Sequence, residues 1–298
     1  MEDDRWCSCI ALHDFKHEDI KWQEWFDYTL AIFTRHNLEP TRLGVNGSHY
    51  GKSSKSLTFK GGKKKLEKYN FEGITSLSLT AMPSKDDYTS NFIIDATLFP
   101  RLDRPKKSFV SICIDDKLEP FERTKIEQMA KELQQFTQAK YGYYFYRHLK
   151  YDPSIYPMGG NNTINPEDYL LCDIWGRTIF HNKESIYRTG HLRDIYRLNF
   201  LSREHLAWPV KDQQNLAQWI KAEPAHGELK ELSPGFWSWY VEEERRPTIR
   251  KALEDSGILI CSRARFEEAK KERGISSTWG DLTNVEWTGW DKPQIYEE

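Results

Sequence analysis

The chain has 298 residues, with 43 Lys plus Arg against 45 Asp plus Glu, a formal net charge of −2. That length suffices for one large domain or two small ones, and the near balance of charge argues against a generally nucleic-acid-binding domain, which is clearly basic. No apolar run approaches the roughly 18 residues of a membrane helix, and Met1-Glu-Asp-Asp-Arg5 lacks the apolar stretch of a signal peptide, so a cytoplasmic protein is expected.

Trp6 to Leu12 alternates and reads as a strand. Trp22, Trp25, Phe26, Thr29, Leu30 and Phe33 recur at helical spacing, and Asn37 and Pro40 mark the end of that helix. A short extended piece follows at Leu43–Val45. The stretch from Gly47 to Lys68 is rich in Gly, Ser and Lys and reads as a solvated loop, with a turn at Gly61-Gly62. Gly73–Ala81, Asn91–Phe99 and Ser108–Ile114 carry the Val, Ile, Phe and Thr of strands.

After Pro120, a helix places Ile126, Met129, Ala130, Leu133 and Phe136 on one face, and Tyr141–Arg147 is an aromatic strand. The order β-α-β-β-β-β-α-β implies an α+β fold: an antiparallel sheet with helices packed on one face. Residues 151–165, punctuated by Pro153, Pro157, Gly159-Gly160 and Pro166, are the expected boundary. It separates a sheet-and-helix half, 1–150, from a mixed half, 151–298, unless the two form one continuous domain.

In the second half, Ser202 is an expected N-cap for a helix over Arg203–Trp208. Leu216, Trp219 and Ile220 share a helix face, and Trp237, Trp239 and Val241 alternate as a short strand. Pro247–Glu254 reads as a helix stopped by Ser256-Gly257, and Ile258–Cys261 as a short buried strand. The tail from Arg263 is highly charged and holds Trp279, Trp287 and Trp290.

Complete chemical motifs are missing from the sequence. Five scattered cysteines (Cys7, Cys9, Cys113, Cys172, Cys261) make neither a disulfide framework nor a zinc spacing, although His13 and His17 lie near the Cys7-x-Cys9 pair. Lys52, Lys55, Lys60, Lys63, Lys64, Lys65 and Lys68 face only Glu67. The stretch lacks the phosphate-loop pattern, because Lys64 follows Lys63 where Ser or Thr is required. Asp115-Asp116 at a strand end suits a turn better than a cation loop. Glu242-Glu243-Glu244-Arg245-Arg246 is a mixed charge run. The densest chemistry is Tyr187–Asn199, where His191, Arg193 and Asp194 supply a base, an anion clamp and an orienter, yet no nucleophile setting accompanies them. A buried ion-pair network is the simpler expectation there, and no catalytic residue, metal or cofactor is expected.

Several segments resemble bacterial immunity-type proteins, which sit beside secreted toxins of polymorphic or type VI secretion systems. They are Tyr141-Gly-Tyr-Tyr-Phe-Tyr-Arg147, Ile155-Tyr-Pro-Met-Gly159, Gly190-His-Leu-Arg-Asp-Ile-Tyr-Arg-Leu-Asn-Phe-Leu201, Leu216-Ala-Gln-Trp-Ile220, Gly227-Glu-Leu229 and Trp237–Trp239. The resemblance covers about residues 140–262. It implies a cytoplasmic protein that binds and occludes a cognate toxin, a nuclease being one such toxin, without a cofactor and without nucleic acid or membrane as partner. Since the chain is only mildly acidic, occlusion by aromatic and loop surfaces is expected over phosphate mimicry. The expected anchors are Trp175, Trp237, Trp239 and Tyr240, with Arg193, Glu242, Glu243 and Glu244 as charged partners. The alternatives are a defence-associated hydrolase centred on His191, Arg193 and Asp194, and nucleic-acid binding through Lys52–Lys68 and Tyr141–Tyr146.

Overall fold

In the computed structural model, four cross-strand rows define the first part of the sheet. Its strands are β1 (Trp6–His13), β2 (Arg42–Gly47), β3 (Leu57–Thr58), β4 (Ile74–Ala81), β5 (Ile94–Phe99) and β6 (Phe109–Asp115). They run in the order β1-β6-β5-β4-β2-β3, every pair antiparallel. Directly opposite residues share a face. The rows Ile10-Ile112-Ala96-Leu79-Leu43 and Leu12-Val110-Leu98-Leu77-Val45 therefore make one apolar face. Cys9-Cys113-Asp95-Thr80-Arg42 and Ala11-Ser111-Thr97-Ser78-Gly44 make the other, which is small and polar. The structure describes residues 5–50, 57–84, 91–100, 108–159, 166–181, 186–211, 213–276 and 280–287. Lys52, Lys55, Gly160, Trp279 and Trp290 lie outside them.

Contacts divide the chain into two compact units: residues 1–139 with 146–157, and residues 140–145 with 158–298. In the first, helices α1 (Trp22–Arg35) and α3 (Arg123–Thr137) bury Trp25, Phe26, Phe33, Met129 and Leu133. They meet where Lys21 N–H donates to the Phe136 carbonyl at 2.9 Å and Tyr28 packs on Phe136.

The stretch expected as a loop holds a helix, α2 (Phe59–Lys68), capped by Thr58, whose hydroxyl accepts from Gly61 N–H at 3.3 Å. Its only buried residues are Gly62 and Leu66. A Cβ on Gly62 would stand 2.6 Å from the Leu43 side chain, so glycine is what lets this helix lie close on the apolar face. Periodicity missed α2 because two buried positions in ten residues leave almost no stripe to detect.

The second unit contains the opening residues of β7 (Tyr141–His148), then β8 (Leu198–Leu201), β12 (Phe236–Tyr240) and β11 (Glu228–Ser233), paired antiparallel in that order with β11 at the edge. Gly227 opens β11 at φ +97, and a Cβ there would meet the Tyr240 carbonyl at 2.2 Å. Short 3-10 turns at Leu149–Tyr151 and Tyr156–Met158 precede helix α4 (Pro166–His181), and the rest of the expected boundary, residues 160–165, lies outside the described residues. Helix α5 (Arg203–Leu206) begins at Ser202 as expected but stops two residues short of Trp208. The hairpin β9 (Pro209–Lys211) and β10 (Gln214–Asn215) leads into α6 (Leu216–Ala222). Helix α7 (Arg246–Leu253) carries Pro247 in its first turn. The charged tail forms α8 (Arg263–Arg273), which buries Phe266 and Ala269. Instead of a strand at Ile258–Cys261 there is a single parallel bridge between Leu192 and Leu259.

The architecture is thus α+β, a large antiparallel sheet with helices.

Candidate functional site

The second unit is organised around Arg193, which is 2% exposed. Alternation along β7 puts Tyr141 and Tyr143 on the same face. Helical spacing puts Asp168, Cys172 and Trp175 on the same face of α4. The Arg193 guanidinium lies 4.2 Å from the Trp175 ring centroid and 5.4 Å from that of Tyr143. It donates to the Tyr143 hydroxyl at 2.6 Å and approaches the Cys172 sulfur at 3.9 Å, while its backbone N–H donates to Tyr141 Oη at 2.8 Å.

The aromatic shell continues outward. Tyr141 stacks on Tyr187 at 4.4 Å and on His205 at 5.2 Å, Tyr143 stacks on Tyr196 at 4.3 Å, and Trp175 donates its indole N–H to Tyr187 Oη.

Asp194 points elsewhere. Arg250 grips it with two charge-assisted bonds, Nε to Oδ1 at 2.7 Å and Nη2 to Oδ2 at 3.0 Å. The Ile195 N–H also donates to Oδ1, at 2.7 Å. His191 is half-buried, with its ring against Trp208 at 4.5 Å and Nδ1 3.0 Å from the Thr189 hydroxyl. The three side chains named as a base, clamp and orienter therefore diverge to three different partners.

Burial fixes the protonation of this cluster. Desolvation raises the phenols of Tyr141 and Tyr187 well above their ordinary value and takes Tyr143 to about 12, so all three stay protonated and neutral at neutral pH. Burial lowers His205 to about 3, leaving a neutral imidazole whose Nδ1 is 2.8 Å from Ser202 Oγ. That Ser–His contact closes the first turn of α5 as a capping box, and both residues are buried. Cys261 is pushed up by burial, as are Cys7, Cys9 and Cys113 in the first unit, and all five cysteines are free and buried. Thiols so protonated are poor nucleophiles. Among the described residues no group of three or more His, Cys, Asp or Glu is placed to hold a metal ion.

The expected anchors separate into interior and surface. Trp175, Arg193 and Trp239 are interior residues, so their side chains hold the unit together rather than face solvent. Trp239 is fully buried; its indole N–H donates to the His226 carbonyl at 2.8 Å, and its ring meets Trp219 edge-on at 6.5 Å. Trp237 and Tyr240 are half-exposed but lie on opposite faces of β12, three residues apart. Trp237 stands opposite Glu231 of the edge strand. The Tyr240 hydroxyl donates to Glu242 at 2.9 Å. Glu242 and Glu244 are exposed, whereas Glu243 is half-buried and paired with Arg246. Sequence reasoning did not foresee Tyr141, Tyr143 and Arg250 as the partners that fix Arg193 and Asp194. The alternation Tyr141-Gly-Tyr143 was the one local signal available.

In the first unit, Asp115 accepts from Lys117 N–H at 2.9 Å and lies 3.7 Å from Arg5, a turn role as expected. Asp95 is the unusual carboxylate there. It accepts from Thr80 at 2.9 Å and Thr97 at 3.1 Å, yet burial raises it to about 6.

No protein-family model matches the chain, and no curated protein matches it. By fold, the chain is similar to a solved structure, the Pseudomonas aeruginosa T6SS protein PA0821, with a TM-score of 0.57 and 13% identity. The likeness covers 87% of this chain and 75% of that one. Identity this low makes it a likeness of fold. No described helix is long and apolar enough to cross a membrane.

Proposed function

We propose that this chain is an immunity-type protein that binds and occludes a cognate bacterial toxin delivered by a type VI or related polymorphic-toxin system. The observation that carries this reading is the likeness of fold, over 87% of the chain, to a protein of a type VI secretion system. Added to it is the sequence resemblance over residues 140–262, which includes the Arg193 network and the β11–β12 hairpin.

The chemistry of the second unit supports binding over turnover. Its buried ionisable residues are held within the interior, with protonated phenols, a protonated Cys261 thiol, a neutral His205 and a bidentate Asp194–Arg250 pair. Such a network serves to hold a surface in one shape, which lowers the ordering cost of association. In this reading Trp237 and Tyr240 are the contact residues, Glu242 and Glu244 supply the charged rim, and Trp175, Arg193 and Trp239 support them from within. The toxin is met in the cytoplasm, where its active site is covered.

The test is co-expression with the product of the adjacent gene. Protection of growth, together with a complex that survives size-exclusion chromatography, is the expected result. Neither protection nor a complex with that neighbour would overturn the reading.

A further inference from the structure

The lysines of α2 are not absorbed by the proposed function. Lys60, Lys63, Lys64 and Lys68 are exposed and Lys65 is half-exposed, so five cations fall in a ten-residue helix. Lys60, Lys64 and Lys68 recur every four residues and form one row about 12 Å long. The helix contains one acid, Glu67, which reaches Lys63 at 4.0 Å. Beside the C-terminal end of the row, exposed His49 stacks on half-exposed Tyr69 at 5.1 Å, and the Lys68 ammonium sits 4.9 Å over the Tyr69 ring.

Charge complementarity requires an anionic occupant, and composition selects among anions. A lipid surface calls for an exposed apolar face to insert, but the apolar residues of α2 are turned onto the sheet: Leu66 is buried and Gly62 lies against Leu43. A protein partner calls for aromatic or Arg anchors, and interfaces between proteins are depleted in Lys. The exposed row holds lysine alone. Lysines as mobile point charges, with an aromatic pair at the end of the row, match a phosphodiester backbone whose unpaired base stacks on a ring.

We propose that α2, with His49 and Tyr69, is a docking face for single-stranded nucleic acid, a proposal independent of the toxin-binding reading. Binding is sequence-tolerant and mainly electrostatic. Neutralising about four phosphates gives a salt slope near −3, so affinity falls about 50-fold between 50 and 200 mM salt.

The experiment uses the full chain and a fluorescein-labelled 20-nucleotide oligo-dT, read by fluorescence anisotropy. Wild type is expected to bind at 50 mM KCl with that salt dependence. The triple variant Lys60→Glu/Lys64→Glu/Lys68→Glu is expected to lose at least about 20-fold, with its circular dichroism unchanged. A control with two exposed cations of α8 reversed, Arg263→Glu/Lys271→Glu, retains binding. His49→Ala weakens the single strand more than a duplex of equal length. Lys60→Gln/Lys64→Gln provides a milder variant should the triple one unfold. No binding at 50 mM KCl, equal loss in the α8 control, salt-insensitive affinity, or poly-glutamate competing as well as the oligonucleotide would each overturn the proposal. Protection against the toxin is unaffected by the lysine variants, so the two readings fail separately.

Discussion

Replacing Asp95 by Asn is expected to change how stability depends on pH. The carboxylate is 7% exposed, and burial raises its pKa from 3.8 to about 6 even though two threonine hydroxyls donate to it. A raised carboxyl pKa means that the folded chain holds the proton over a range in which the unfolded chain has released it. Stability therefore falls as pH rises from about 4 to about 6 and levels off above. A shift of about two units corresponds to about 3 kcal/mol, of which about 2.5 kcal/mol accrues between pH 4 and pH 7. Asn cannot ionise, and its carbonyl still accepts from one of the two threonines. The stability of the variant minus that of wild type should then increase by about 2–3 kcal/mol from pH 4 to pH 7. Urea titrations followed by tryptophan fluorescence at both pH values measure it, and the difference cancels every other titrating group. A difference flat to within about 0.5 kcal/mol would refute the assignment of Asp95 as a penalised buried carboxylate.

Four further outcomes follow from the second unit. Arg250→Met should cost about 3–5 kcal/mol by stranding the Asp194 carboxylate in the interior, and adding Asp194→Asn should restore at least half of that in a urea double-mutant cycle. Gly227→Ala should cost about 2 kcal/mol through its left-handed φ and the close Tyr240 carbonyl, read as a lowered urea midpoint. Trp237→Ala is expected to weaken toxin binding about 30-fold in calorimetry with the fold intact. Trp239→Ala instead destabilises the unit by about 3–5 kcal/mol.

The first unit was largely legible because its elements bury continuous stripes. Trp25, Phe26, Thr29 and Phe33 mark α1; Ile126, Met129, Leu133 and Phe136 mark α3; and β4 to β6 follow from their β-branched runs. Helices α2, α4 and α8 were hidden for opposite reasons. Helix α8 buries two of its eleven residues, so lysine, glutamate and arginine conceal it. Helix α4 buries Leu170, Leu171, Cys172, Ile174, Trp175 and Ile179 around much of its circumference, so the narrow polar strip of Asp173 and Arg177 is too small to set up a clear amphipathic pattern. The edge strand β11 is short and half charged, and it owes its shape to pairing with β12.

At the site, the segment Tyr187–Asn199 was recognised, and its reading as a network agrees with the divergence of His191, Arg193 and Asp194. The partners were not legible. Arg250 has Glu254 four residues on, just past the end of its own helix, a local choice that sequence spacing cannot separate from Asp194, 56 residues upstream. Likewise, nothing local distinguishes Trp239, which is interior, from Trp237 two residues earlier on the same face of the strand. The difference comes from α6 and His226, which cover one and leave the other half-exposed.

The edge position of β11 leaves one rim of the sheet to be guarded. Glu228, Lys230 and Glu231 are exposed along it, and its register shifts between Glu231 and Ser233. Any strand that zipped onto this rim would have to desolvate charges of both signs and would lose the ladder at the shift. The hairpin thus resists edge-to-edge aggregation through three side chains and one irregular step.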